Sequence, residues 1–262
     1  MHLLKKIALV TILILAVSNV ALYSKLSALE NRVEQNISEV GSAEERLRIK
    51  ELVDESLKEK ELANKRNASK QKLAKLEIAH SLAKKDAKRL VYGNPEARIS
   101  LKMYGDIECP FCRKIHRELK KIVDNSQGVI NWEYKHFPLS MHNPSAAINA
   151  QAIECIAETH DNQKAWIALT QFIEGTQGNG RGIDDIPEFV RSFGLNGSMV
   201  SNCLKSDSHK QKINQDYAEG RSLRVTRTPA IQIVDRVTSN TVMTEGYLKA
   251  EAILEKVQRL IN

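Results

Sequence analysis

The chain has 262 residues, 42% of them hydrophobic and 27% charged, with a formal net charge of +7. That composition supplies an ordinary core and excludes a disordered chain, and the length allows one sizeable domain with an appendage. The charge is not laid out as a nucleic-acid-binding face: residues 58–89 hold eleven basic and four acidic residues, so one helical segment carries the whole surplus. No nucleic-acid partner is expected.

Lys5 and Lys6 precede an apolar run over residues 7–22, interrupted only by Thr11, Ser18 and Asn19. A basic start, an apolar middle and a small-residue pair (Ala16, Ser18) form the layout of a secretory signal. At helical rise the run spans about 24 Å, short of the roughly 30 Å hydrocarbon core, which favours a cleaved peptide over a membrane anchor. Tyr23 and Lys25 would serve as an interfacial flank if the run stayed as an anchor. Under both readings of residues 1–22, everything after Tyr23 lies on the far side of the membrane, in an oxidising compartment.

Residues 23–92 read as a helical stalk. Between Leu22 and Leu90 there is no proline and one glycine, Gly41. Leu26, Leu29, Val33, Asn36, Val40, Ala43 and Leu47 recur at alternating three- and four-residue steps, a coiled-coil-like seam with a polar Asn36 inside it. The seam is lost among charges at 54–67, which predicts two helices. The second, 69–90, carries Leu73, Leu76, His80, Ala83, Ala87 and Leu90 on a weaker stripe. This segment, 22–90, is expected to hold a homo-oligomer together; a solvated spacer and a helix folded back on its own domain are the alternatives.

Gly93, Asn94 and Pro95 mark the boundary of a domain over 93–262. An alternating apolar run at 98–104 predicts a strand, and 114–123 has helical spacing. Between them lies Gly105-Asp106-Ile107-Glu108-Cys109-Pro110-Phe111-Cys112. This places Cys109 where a helix begins, with Pro110 at the first helical position, where its missing N–H is not needed. Unpaired N–H groups and the positive helix end favour a thiolate there. That thiolate attacks a disulfide, and Cys112, one turn on, closes back onto Cys109. A zinc half-site would need a second close pair, but Cys155 and Cys203 lie far apart in sequence. No metal is expected.

A second strand is predicted at 129–137, followed by helices at 146–158, 162–175, 186–193, 197–204 and 210–223. The glycine-rich run 175–182 resembles no phosphate-binding motif and reads as a flexible connection. Cys155 and Cys203 both fall among these helices, and a structural disulfide between them is the leading reading. Free buried thiols and a second redox pair are the alternatives. Thr228-Pro229 precedes a strand that runs to Val234, a closing strand is expected at 241–245, and an amphipathic helix at 249–260.

The run from Asp106 to Cys112 after a strand, together with Thr228-Pro229-Ala230 before another, resembles the DsbA-like branch of the thioredoxin superfamily over about residues 93–262. The resemblance implies an α/β thioredoxin fold with an all-helical insertion at about 143–224. It implies a periplasmic thiol-disulfide oxidoreductase that forms, reduces or isomerises disulfides. Cys109 and Cys112 would be catalytic, Pro110 and Phe111 would support them, and Thr228 with a cis Pro229 would bind substrate. Expected partners are exported proteins bearing cysteines and a membrane redox partner; no cofactor is implied. A non-enzymatic envelope assembly protein that uses the stalk is the alternative. One departure stands out: many thioredoxin-like proteins place a buried acid six residues before the first cysteine, and here that residue is Met103. By sequence, Glu108 and Lys102 are the nearest groups that could exchange a proton with Cys112. His116 and His136 are expected on a surface helix face and a strand end.

Overall fold

The computed structural model describes residues 27–28, 31, 42–85 and 90–262. The expected leader at 1–22, the seam residues Leu26, Leu29, Val33, Asn36 and Val40, and Ala87 all lie outside those residues. Among the described residues no helix is long and apolar enough to cross a membrane.

Helix α1 spans Ala43–Ala79 without interruption. Ser42 and Glu45 cap each other reciprocally, the Glu45 N–H donating to the Ser42 hydroxyl and the Ser42 N–H to the Glu45 carboxylate. The two helices expected here are therefore one. Charges at 54–67 end the apolar seam but not the helix, because Lys, Glu, Ala and Leu all propagate it and pairs such as Lys65–Glu61 at 2.7 Å support it.

The chain divides into two compact units at Lys65 and Arg66. In the first unit Leu47, Leu52, Leu57 and Leu62 are exposed. Their five-residue spacing turns by about 140° per step, so they form no stripe that would continue the seam.

The second unit, Arg66–Asn262, begins well before the expected boundary at Gly93. Leu73 and Leu76 pack against its core, and His80, Ala83 and Leu90 are buried in it. The Gln163 side chain donates to the carbonyls of Glu77 and His80, satisfying acceptors that the end of α1 leaves open. The His80 ring contacts the Leu76 carbonyl and the Thr170 hydroxyl. Residues 66–85 and 90–92 thus belong to the folded domain as part of its wall.

The sheet has the order β1-β3-β2-β4-β5, with β1 Val91–Tyr92, β2 Ile99–Gly105, β3 Ile130–His136, β4 Ala230–Asp235 and β5 Thr241–Glu245. β2 and β3 run parallel, joined by helix α2, Pro110–Asn125; the other neighbours pair antiparallel. α2 turns Cys112, Ile115, His116, Leu119, Ile122 and Val123 inward, the three- and four-residue spacing of a helix lying on a sheet. Each fully buried aliphatic side chain among them contributes about 2 kcal/mol, which fixes where the first turn of α2 sits.

Between β3 and β4 lie a 3-10 turn, Ser140–His142, and five helices: α3 Ser145–Thr159, α4 Asn162–Gly175, α5 Ile186–Ser192, α6 Gly197–Ser206 and α7 Lys210–Ser222. A disulfide joins Cys155 of α3 to Cys203 of α6, with Cα atoms 5.8 Å apart. Trp132 of β3 meets Trp166 of α4 at 4.7 Å between ring centroids, so insertion and sheet share one core. Helix α8, Ala250–Ile261, covers the sheet beside α2.

A chain starting at Arg66 should therefore fold, whereas one starting at Gly93 loses the partly buried Leu73 and Leu76 and the buried His80, Ala83 and Leu90. Thermal denaturation of the two should show the shorter one unfolded or melting well over 10 °C lower, because removing several buried apolar side chains costs at least about 4 kcal/mol. Equal melting would contradict the assignment of 66–85 and 90–92 to the domain.

Candidate active site

β2 ends at Gly105, where the chain must pass the Tyr134 ring; a Cβ there would sit 2.7 Å from it. The next residues form a tight turn held by Asp106. Its carboxylate accepts from the Glu108 N–H at 2.8 Å, and its carbonyl accepts from the Cys109 N–H at 3.1 Å. Cys109 then stands as the N-cap of α2 in extended backbone conformation, with Pro110 first in the helix.

The two thiols are both free and sit in different surroundings. Cys109 is 5% exposed, and its thiol donates to the Thr228 carbonyl at 3.4 Å. Cys112 is fully buried, its sulfur accepting from the Asp106 N–H at 3.5 Å. Hydrogen bonding from the Cys112 thiol lowers the Cys109 pKa to about 6 against the opposing effect of burial, and the N–H groups of Cys112 and Phe111 help. Burial pushes Cys112 well above the ordinary thiol value, and hydrogen bonding to Cys109 adds to the rise. One thiol is ready to ionise at neutral pH and its neighbour resists.

The Thr228–Pro229 peptide bond is cis, both residues are buried, and the Thr228 carbonyl lies beside Cys109. The Thr228 hydroxyl is buried without a hydrogen-bond partner among the described residues. On the open side Phe111 is 53% exposed, with the Lys114 ammonium 5.3 Å from its ring centroid. The arrangement can present a thiolate, a resolving thiol and a backbone edge to an extended peptide.

Glu108 does not face the thiols as its place in sequence suggests. Its fully buried carboxylate accepts from the Asn149 amide at 2.7 Å, the Gly182 N–H at 3.0 Å and the Thr176 hydroxyl. Its carbonyl takes the Asn179 N–H. The glycine-rich run 175–182, expected to be a flexible connection, is thereby pinned around one side chain. Positive φ at Gly178, Gly180 and Gly182 lets it wrap so closely; at Gly180 a Cβ would lie 3.1 Å from His142. Lys102 points elsewhere, 3.9 Å from Glu219.

His116 also departs from expectation. It is buried against Trp132, its Nε2 contacts the Thr170 hydroxyl at 2.9 Å, and burial lowers its pKa to about 3. His136 does end β3, but it is buried and paired with Glu154 at 3.0 Å. Cys155 and Cys203 form their disulfide within the insertion, between α3 and α6. The sequence reading missed Asp106 and His142, whose Nδ1 lies 2.8 Å from the Asp106 carboxylate. Asp106 stood in the motif, three residues before Cys109, but thirty-six residues separate it from its partner and no spacing rule joins them.

Replacing Glu108 by alanine should leave Asn149, Thr176 and the Gly182 N–H without their acceptor. Chemical denaturation should show a loss of about 2–4 kcal/mol, and hydrogen exchange should speed up at Gly178 and Gly182. Unchanged exchange in that run would show that Glu108 does not hold it.

A family model described as Thioredoxin matches residues 85–251. DsbA2 of Pseudomonas aeruginosa is similar at 30% identity, covering 66% of this chain and 94% of that one, with a TM-score of 0.60. The thiol-disulfide exchange protein alpha-DsbA2 of Wolbachia pipientis, 19% identical, covers 74% of this chain and 97% of its own with a TM-score of 0.56. Oxidised BdbD of Bacillus subtilis, 14% identical, covers 68% and 96% with a TM-score of 0.56. These last two show the fold. A curated relative, Na(+)/H(+) antiporter NhaA 1 of Mycolicibacterium gilvum (strain PYR-GCK), is 34% identical over 67 residues, 26% of this chain but only 11% of that protein. Sheet order, the helical insertion and these matches agree: the chain belongs to the thioredoxin family, among its DsbA-like thiol-disulfide oxidoreductases.

Proposed function

We propose that this protein forms disulfides in exported proteins, with Cys109 as the reacting sulfur, Cys112 as its resolving partner, and Thr228 and Pro229 as the edge that docks the substrate. The observation that carries this is the Cys109 thiol at the start of α2, held by Cys112 and Thr228 and lowered to about 6. A dithiol whose reduced form is stabilised makes an oxidising disulfide. That physical argument favours disulfide formation over reduction or isomerisation.

In the forward reaction a substrate thiolate attacks Cys109 Sγ of the Cys109–Cys112 disulfide. That bond breaks, Cys112 leaves and takes up a proton, and a mixed disulfide holds the substrate on Cys109. A second substrate thiol, losing its proton, then attacks the substrate sulfur of the mixed disulfide, and Cys109 departs as a thiolate. The substrate is oxidised by two electrons and the protein is reduced by two, so a membrane redox partner must restore its disulfide. Pro110 fixes the start of the helix, and the exposed Phe111 offers apolar contact to an incoming chain. The leader read at 1–22 and the Cys155–Cys203 bridge support a periplasmic setting. An isomerase assembled through residues 22–90 draws no support from the exposed, unaligned leucines of α1.

Oxidised protein mixed with reduced, unfolded ribonuclease should transfer its disulfide far faster than glutathione disulfide does, and Cys109→Ala should abolish the transfer. Reduction of insulin should be the weaker activity. Transfer no faster than glutathione, or transfer surviving Cys109→Ala, would contradict the assignment.

The same thiolate has a consequence for stability. Its folded-state pKa lies below that of an unfolded thiol, so ionisation stabilises the reduced protein above the unfolded value, and this contribution is lost as pH falls through about 6. The melting temperature of the reduced protein relative to Cys109→Ala should therefore drop across that range; a flat difference would contradict the shift.

A further inference from the structure

Cys112 poses a problem that neither the motif nor Met103 solves. In the proposed forward reaction it leaves as a thiolate in a fully buried position, where a bare charge is costly. In the reverse direction it must shed a proton from the same place. Some neighbouring group has to exchange that proton.

Asp106 is the carboxylate that belongs to this position. Its own N–H contacts Cys112 Sγ at 3.5 Å. It is 1% exposed and has no lysine or arginine partner among the described residues; instead it accepts from the Leu139 N–H at 2.8 Å and the Glu108 N–H at 2.8 Å, and meets His142 Nδ1 at 2.8 Å. His142, in the 3-10 turn, is 7% exposed and so leads from this buried group towards the surface. Tyr134 of β3 packs its ring against Gly105, the residue before Asp106. Its hydroxyl is fully buried, has no hydrogen-bond partner among the described residues, and lies where a Gly105 Cβ would be 2.9 Å away.

Other titratable groups on neighbouring elements have their own partners. Glu108 is held by Asn149, Thr176 and Gly182, His136 is paired with Glu154, Asp216 of α7 takes Lys135 and Lys212, and Cys109 and Cys112 are the reacting pair.

We propose that the buried Asp106–His142 pair exchanges the proton of Cys112, with the Tyr134 hydroxyl placed to donate to the Cys112 thiolate when it forms. In the forward step the Cys109–Cys112 bond breaks and the substrate–Cys109 bond forms. The proton passes from the pair to Cys112 Sγ, and His142 regains it from solvent; the reverse step runs the same transfers backwards. Asp106 touches the reacting sulfur through its backbone N–H, and its carboxylate meets His142 Nδ1, the member of the pair that exchanges with solvent. Burial raises the pKa of Asp106 against the opposing effect of its hydrogen bonds from Leu139, His142 and Glu108. The ionisation of Tyr134 is raised by burial and next by charge on Cys112 and Asp106.

This proposal rests on the disulfide-forming reading above, and its test separates the two. The full chain, oxidised, is mixed with a two-cysteine peptide, and the first-step rate is followed against pH for wild type, Asp106→Asn, His142→Ala and Tyr134→Phe. Cys109 ionisation is measured in the same proteins by thiolate absorbance. With Cys109 still titrating near 6, Asp106→Asn and His142→Ala should slow the step at neutral pH by at least about tenfold and remove its pH inflection, and added imidazole should restore His142→Ala. Tyr134→Phe should slow the step less and keep the inflection. Should Asp106→Asn fail to fold, the His142→Ala profile and its imidazole rescue decide.

Wild-type rate and profile in His142→Ala, or loss of the inflection in Tyr134→Phe alone, would overturn the pair as proton exchanger while leaving disulfide formation intact. A wild-type protein with no peptide reaction would instead remove the reading beneath it.

Discussion

Everything in this protein turns on holding a sulfur anion at the first turn of one helix while keeping a second sulfur, three residues on, neutral. Cys109 and Cys112 are the same side chain on the same helix, so the difference between them is environmental. Cys109 receives hydrogen bonds from Cys112 and from N–H groups that the helix start leaves free, whereas Cys112 is packed into the core with one N–H on it. The fold serves that asymmetry. β2 delivers the chain to the turn, the buried face of α2 sets the helix against the sheet, and the cis Thr228–Pro229 segment brings a carbonyl to the leading thiol.

The buried carboxylates around this turn are each held differently. Glu108 is wrapped by neutral donors from α3 and the glycine-rich run, so it organises the rim without reaching the thiols. Glu154 is tied to His136. Asp106 alone touches the resolving cysteine through its backbone and meets a histidine that leads outward. The strand position six residues before Cys109 holds Met103, which packs as core.

Much of the fold was legible because its signals are local. The alternating run into β2, Pro110 at the helix start, the alanine-rich α3 and the Thr228-Pro229 step each report their own structure. Asn162–Gly175 and Thr241–Glu245 fall on the residues that periodicity assigns. What periodicity could not show was anything decided by tertiary contact. The charges at 54–67 hid a continuous helix, because an apolar seam reports a partner and not helicity. His116 looked like a surface residue because its burial depends on Trp132 and Trp166 arriving from other elements. The glycine-rich run looked loose because Glu108, seventy residues upstream, is what holds it. The Asp106–His142 contact and the two-residue strand β1 are likewise products of packing.

The account stands or falls on the acidity of Cys109. Titration of the reduced full chain by thiolate absorbance, with Cys109→Ala to identify the signal, measures it directly. An inflection near pH 6 that vanishes in Cys109→Ala is the predicted result. A first ionisation no lower than that of an ordinary cysteine, at about 8.5, would contradict the central claim.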